Sequence, residues 1–203
     1  MNQKKIDDPD HDLITRFKQG SPGAMEEIVE RYEERLFNFG LRMCGHIQDA
    51  EDIMQETFLN AFKSLMDFRE ETKLRNWLFK IAANACYRKR RKKKFEPERE
   101  ISLEELGHPG QVQEPFEIPD GFANPADDLL RTELKQVIAS AVRKLPPMYR
   151  LVFNLRDMEE FSTEETAEIL DIPIQSVKTR LHRARLFLRK ELSDYYRGDA
   201  AYA

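Results

Sequence analysis

Six side chains over residues 175–183 carry the clearest chemical signal in the chain. Gln175, Ser176, Lys178, Thr179, His182 and Arg183 sit among Val177, Leu181, Ala184 and Leu188, which recur at i, i+4, i+7 and i+11. That spacing is one buried stripe of an α-helix and turns the six outward. Arg180, Arg185 and Arg189 flank them, and no acid appears until Glu191. A donor-rich face of one sign suits a major groove, where base edges and phosphates offer acceptors. Lys and Arg would neutralise phosphates, and residues near the helix N-terminus would reach base edges. A surface helix with ordinary cation solvation is the bland alternative; the capped helix and turn in front of it argue against chance.

A second constellation lies upstream. Residues 88–94 read Arg-Lys-Arg-Arg-Lys-Lys-Lys. Seven successive positive charges persist only in solvent or beside a polyanion. The run extends a helical stretch in which Trp77, Lys80, Asn84 and Tyr87 share one side at 3-4-3 spacing, with Phe68 and Phe79 nearby. Rings stack on bases, amides read base edges and cations track phosphates, so this is the composition of a single-strand site. Each stacked base is worth about 1–3 kcal/mol, comparable to the few kcal/mol needed to flip one out of a duplex. The competing reading of these aromatics is plain core.

A third group has the opposite sign. Asp49, Asp52, Gln55 and Glu56 lie across a helix from its apolar stripe. Such a face does not touch DNA; it meets solvent or docks a basic partner helix. Catalytic patterns are missing. The four histidines (11, 46, 108 and 182) form no HExxH and no i, i+4 pair, and neither GxSxG nor a phosphate loop occurs. No catalytic residue, metal ligand or cofactor is therefore expected, and a helical metal hydrolase is a poor reading. Cys44 and Cys86 make no CxxC, which excludes a zinc motif and a disulfide scaffold and leaves two small core residues in a reducing cytosol.

The elements that must position these groups are all helical, since no stretch sustains period-2 alternation. In the first block, residues 10–94, Asp10 caps a short helix to Gly20, and Ser21-Pro22 opens a second that Gly45 ends. A third covers about 48–66, with Met54, Phe58, Ala61, Phe62 and Leu65 on its apolar face; a fourth covers about 72–92. In the last block, residues 129–197, helices are expected over about 126–144, 147–157, 162–170 and 174–191. Ser162 and Glu165 make a capping box, Asp171 suits a left-handed turn, Ile172 plugs the core and Pro173 starts the next helix. The pair is a helix-turn-helix. Between the blocks, residues 95–128 hold five of the ten prolines and ten acids against one arginine. Their net charge of −9 leaves +5 on the rest of a chain whose total is −4. Such a segment cannot bury enough apolar surface to offset its ordering entropy. It reads as an acidic Pro-rich linker whose Ile101, Leu103, Leu106, Phe116, Ile118 and Phe122 are isolated anchors. The N-terminus lacks the apolar stretch of a signal peptide, and no run approaches a membrane span. A cytoplasmic protein is expected.

Together these pieces resemble one family. DAEDIMQETFLNAFKSLMDFREETKLRNWLFKIAANACYRKRRK is similar to region 2 of bacterial sigma factors, and LPPMYRLVFNLRDMEEFSTEETAEILDIPIQSVKTRLHRARLFLRK to region 4. With no region 3 between them, the layout resembles the extracytoplasmic-function (ECF, group 4) subfamily of the sigma-70 family. The resemblance implies an all-α, two-domain, non-enzymatic subunit. It would bind core RNA polymerase through its clamp and flap regions, direct it to promoters, help melt them, and answer to an anti-sigma factor. It gives Asp49, Asp52, Gln55 and Glu56 to docking on the polymerase clamp. Phe68, Trp77, Phe79, Lys80, Asn84 and Arg88 fall to the downstream element as melted single strand. Gln175, Ser176, Lys178, Thr179, His182 and Arg183 fall to the upstream element as duplex. Elements about 25 base pairs apart lie roughly 85 Å from one another, and 34 linker residues span at most roughly 110 Å. A free-standing regulator with a helix-turn-helix output is the rival; it would need a receiver or ligand pocket in residues 1–94, and none is visible there.

Overall fold

The computed structural model describes residues 7–92 and 136–199, with side chains described to Lys89 in the first span and to Ser193 in the second. The acidic segment 95–128 with its six anchors, the start of the helix expected from 126, and most of the 88–94 cations lie outside that description. Among the described residues every regular element is helical: α1 (His11–Lys18), α2 (Ala24–Cys44), α3 (Ile47–Ser64) ending in a 3-10 turn (Leu65–Asp67), α4 (Leu74–Lys92), α5 (136–144), α6 (Pro147–Phe153) running into a π turn (Asn154–Met158), α7 (Thr163–Leu170) and α8 (Ile174–Asp199). No helix of the described residues is long and apolar enough to cross a membrane.

Helix ends follow local chemistry in some places and distant partners in others. Gly45 ends α2 as expected, at φ 79° with its N–H on the Leu41 carbonyl. Gly40 lets α2 close on α3: a Cβ there would lie 3.1 Å from the Ala50 Cα. Two expected caps are replaced. Asp10 makes no cap bond to α1, because its carboxylate accepts instead from the Tyr32 hydroxyl and from Arg31 on α2. Ser21 does not cap α2 either; Gly23, at φ 85°, occupies that position. Asp8, which precedes both caps, reaches further. One of its oxygens accepts the Asp10 N–H at 3.0 Å, and the other the Leu74 N–H at 2.7 Å, at the start of α4.

The first four helices share a core built on Ile14, Ile28, Leu36, Phe39, Ile53, Leu74, Leu78 and Phe79. Leu151, Leu155, Phe161 and Ile169 from the second half belong to the same cluster, so the two halves pack directly on one another. Smaller clusters join α5 and α6 to α8 (Leu145, Tyr149, Ala184, Leu188) and seat Val177 and Leu181 on Val152. The apolar face expected for α3 is only partly covered. Phe62 is 56% exposed and makes an edge contact with Phe17; among the described residues no element crosses that end of the stripe.

Candidate nucleic-acid interface

The helix-turn-helix is built by local bonds. The Ser162 hydroxyl accepts the Glu165 N–H at 3.0 Å, and the Glu165 carboxylate accepts the Ser162 N–H at 2.9 Å. Burial pushes the Glu165 carboxyl upward, but that bond and Lys73 at 3.2 Å more than offset it and hold it below its ordinary value. Asp171 adopts the left-handed conformation (φ 53°, ψ 48°) that turns the chain. Ile172, half-buried, packs beside Val177 and Leu181. The Pro173 carbonyl accepts the first N–H groups of α8, from Ser176 and Val177.

On α8, Val177, Leu181, Ala184 and Leu188 are all buried, as their spacing predicts. Gln175, Lys178, Thr179 and His182 are exposed, while Ser176 and Arg183 are half-buried. Arg183 leans onto the helix body and donates to the Tyr149 hydroxyl at 3.4 Å. Arg185 is held by Asp157 through two bonds of 2.9 and 2.6 Å. The open face is therefore Gln175, Lys178, Thr179 and His182, all within the first nine residues of α8, where donors can enter a groove.

The aromatic-basic face of α4 is less open. Lys80, Asn84 and Tyr87 are exposed on one side. Trp77 is half-buried and lies against Phe68, ring centroids 4.7 Å apart and tilted by 30°. Phe68 itself is buried, at the start of a loop whose Phe68 carbonyl and Glu70 carboxylate both accept from Lys18. Phe79 departs from the sequence reading. It is fully buried between Phe39 (5.4 Å) and Phe161 (4.9 Å), because position 79 turns to the side of α4 that faces α2 and the second half. In this structure it is a core residue, out of reach of a base.

The acidic face of α3 also has partners within the chain. Lys89 reaches Asp49 at 2.9 Å and Asp52 at 2.6 Å, and Arg88 reaches Glu56 at 2.7 Å. Burial lowers the Lys89 amine, but its bonds to Asp52 and Asp49 more than offset this and raise it above its ordinary value. Arg88, expected to track DNA, thus lies on the surface expected to dock a basic helix. Gln55 stands apart from these pairs and lines a shallow apolar groove with Met25, Met54, Leu59 and Phe62.

A further charged cluster went unseen in the sequence. Glu159, only 4% exposed, accepts from Arg35 at 3.0 Å and from Arg42, both on α2, while its backbone carbonyl accepts from Arg75 on α4. Arg42 also donates to Asn154 at 2.9 Å. Nearby, Arg150 donates to the carbonyls of Met43 at 2.9 Å, Leu145 at 2.8 Å and Arg143. The one local hint was that Arg35 and Arg42 stand seven apart, on one side of α2 beside Leu36, Phe39 and Met43.

Comparison with known proteins gives these elements a common identity. Residues 28–96 match the family described as Sigma-70 region 2, and residues 135–188 match Sigma-70, region 4. The chain is 37% identical over 181 residues to "ECF RNA polymerase sigma factor SigW" of Bacillus subtilis, covering 89% of this chain and 95% of that protein. It is 32% identical over 173 residues to "RNA polymerase sigma factor YlaC" of the same organism, covering 84% and 92%. Among solved structures it is similar to CnrH in complex with the cytosolic domain of CnrY, at 26% identity and a TM-score of 0.66, covering 92% of this chain and 99% of that one. The chain belongs to the ECF sigma factors of the sigma-70 family, the subunits that direct RNA polymerase to promoters.

Proposed function

We propose a division of labour within that role. The 129–197 half reads the upstream element as duplex through Gln175, Lys178, Thr179 and His182, with Ser176 and Arg183 bracing the helix edge. The 10–94 half captures the melted downstream strand on the side of α4 that carries Trp77, Lys80 and Asn84. Asp49, Asp52, Gln55 and Glu56 dock on core polymerase. The acidic 95–128 segment joins the two halves. The observation that carries this reading is the exposed, acid-free turn of α8 set behind a capping box and a left-handed Asp171. The protein works in the cytoplasm beside polymerase and performs no catalysis of its own. An anti-sigma partner fits as well, since a similar solved protein, CnrH, is held by the cytosolic domain of CnrY.

The test is in vitro transcription with core polymerase on genomic fragments, with start sites mapped. Specific open complexes at a defined set of promoters are expected. Asn84→Ala is expected to impair opening and relax downstream preference while leaving duplex binding intact. Absence of any specific open complex sinks the reading, as does strong, sequence-specific duplex binding by the chain alone that core polymerase does not alter.

A further inference from the structure

Glu70 keeps a left-handed backbone, at φ 56°, inside the short link from the 3-10 turn to α4. Glycine adopts that region freely, whereas a longer side chain carries a steric cost there. Among the described residues no backbone–backbone hydrogen bond involves residues 69–72. Side chains of the opening segment set the path of this link instead. The Lys18 amine, at the end of α1, donates to the Phe68 carbonyl at 2.7 Å and to one Glu70 oxygen at 2.9 Å. The His11 Nδ1, at the start of α1, lies 2.6 Å from the other Glu70 oxygen. Asp8 holds the far end through the Leu74 N–H at 2.7 Å. Burial pushes the Glu70 carboxyl upward, but its bonds to Lys18 and His11 more than offset this and hold it below its ordinary value.

This bridge meets the ring pair at Phe68. The carbonyl of Phe68 is held by Lys18, while its ring is buried and lies 4.7 Å from the half-buried ring of Trp77. A base stacked on Trp77 would therefore meet a surface backed by Phe68. A stacking surface is only as well placed as the group behind it, so a shift of the Phe68 backbone shifts what the base meets. We propose that Glu70, bridging Lys18 and His11, is a positioning residue: it fixes the Phe68–Trp77 pair from α1 and so sets how firmly the first half holds a melted strand. This rests on the single-strand reading of α4 given above, and the experiment separates the two.

Trp77 is the only tryptophan of the chain, so its emission reports the pair directly in the free protein. Glu70→Gly removes the carboxylate and relieves the left-handed backbone. It is expected to shift Trp77 emission to the red and to steepen its quenching by acrylamide. Lys18→Met leaves residue 70 as it is and is expected to do the same without adding a flexible glycine. Glu70→Gln keeps an oxygen that can accept from Lys18 and is expected to restore most of the wild-type signal. Asp12→Asn, on α1 with its carboxylate open to water, is expected to change nothing. The same variants are then bound, as holoenzyme with core polymerase, to a mapped promoter fragment whose downstream element is already unpaired. Glu70→Gly and Lys18→Met are expected to weaken that complex about tenfold, in the lower part of the range for one stacked base. Binding to upstream duplex is expected to stay at the wild-type level. Glu70→Ala stands in for either variant that loses helical circular dichroism.

Unchanged Trp77 emission and quenching in both folded variants overturns the proposal. A change in only one of them overturns it as well, since the bridge then plays no part. If Trp77 responds in both but the unpaired fragment is held as before, the bridge still positions the ring pair and the strand reading falls. A matched change in the Trp77 signal and in strand binding supports both.

Discussion

The exposed turn of α8 and the aromatic-basic side of α4 are both rich in cations, yet they are differently prepared. On α8 the face is finished: the cap and turn in front of it are made by bonds within a few residues, and Gln175, Lys178, Thr179 and His182 are exposed. On α4 the face is held back. Trp77 rests on Phe68, and Arg88 and Lys89 are paired with α3. A duplex offers its acceptors without rearrangement, so a rigid reader suffices. A flipped base exists only after melting, and a face that stays covered until then avoids binding stray single strands. On the proposed division of labour, the downstream hand has to change on engagement, whereas the upstream hand only has to arrive.

Three measurements would break or sharpen this contrast. The largest effect is expected from Phe79→Ala, which empties a fully buried site and should cost about 3–5 kcal/mol of stability. Urea unfolding reads it directly. An unchanged midpoint together with weakened downstream binding would restore Phe79 to the DNA face. Next, Gln175→Ala is expected to cost about 1–3 kcal/mol of upstream recognition in the holoenzyme, while Lys178→Ala flattens the salt dependence by about one unit of slope with little loss of sequence preference. Footprinting across a salt series separates the two, and identical behaviour would deny the base-versus-phosphate assignment. The smallest effect is the Arg88–Glu56 pair. Both groups are close to half exposed to water, so a double-mutant cycle on stability should return about 0.2–1 kcal/mol. A coupling well above that range would mean the basic end of α4 is fixed to α3 and not readily available to DNA.

Much of α8 and its approach was legible in the sequence because its determinants are local. The Ser162–Glu165 box, the left-handed Asp171 and the Val177, Leu181, Ala184, Leu188 stripe each depend on residues within a turn or two. The α4 side was legible in composition and not in exposure. Periodicity shows which residues share a face; it does not show what lies over that face. Phe79 and Phe62 illustrate both errors, one hidden by Phe39 and Phe161 and the other left uncovered. Charges carry the same ambiguity. Arg35 and Arg42 find Glu159 more than a hundred residues away, and Asp10 abandons its expected cap for Tyr32. No spacing rule connects such partners, because the fold brings them together only once the cores have formed.

Asp8 shows what that means for a chain made from one end. The carboxylate that supplies an acceptor to the first turn of α4 is synthesised 66 residues before the amide it receives. Until that amide emerges from the ribosome, the Asp8 carboxylate has one of its two bonds, that to the Asp10 N–H. Once it docks, it ties residue 8 to residue 74 at the start of α4. The segment carrying Asp8 and Asp10 is thus an interior part of the first half. A cut or a bulky fusion just before α1 would disturb the start of α4, the helix proposed to meet the melted strand.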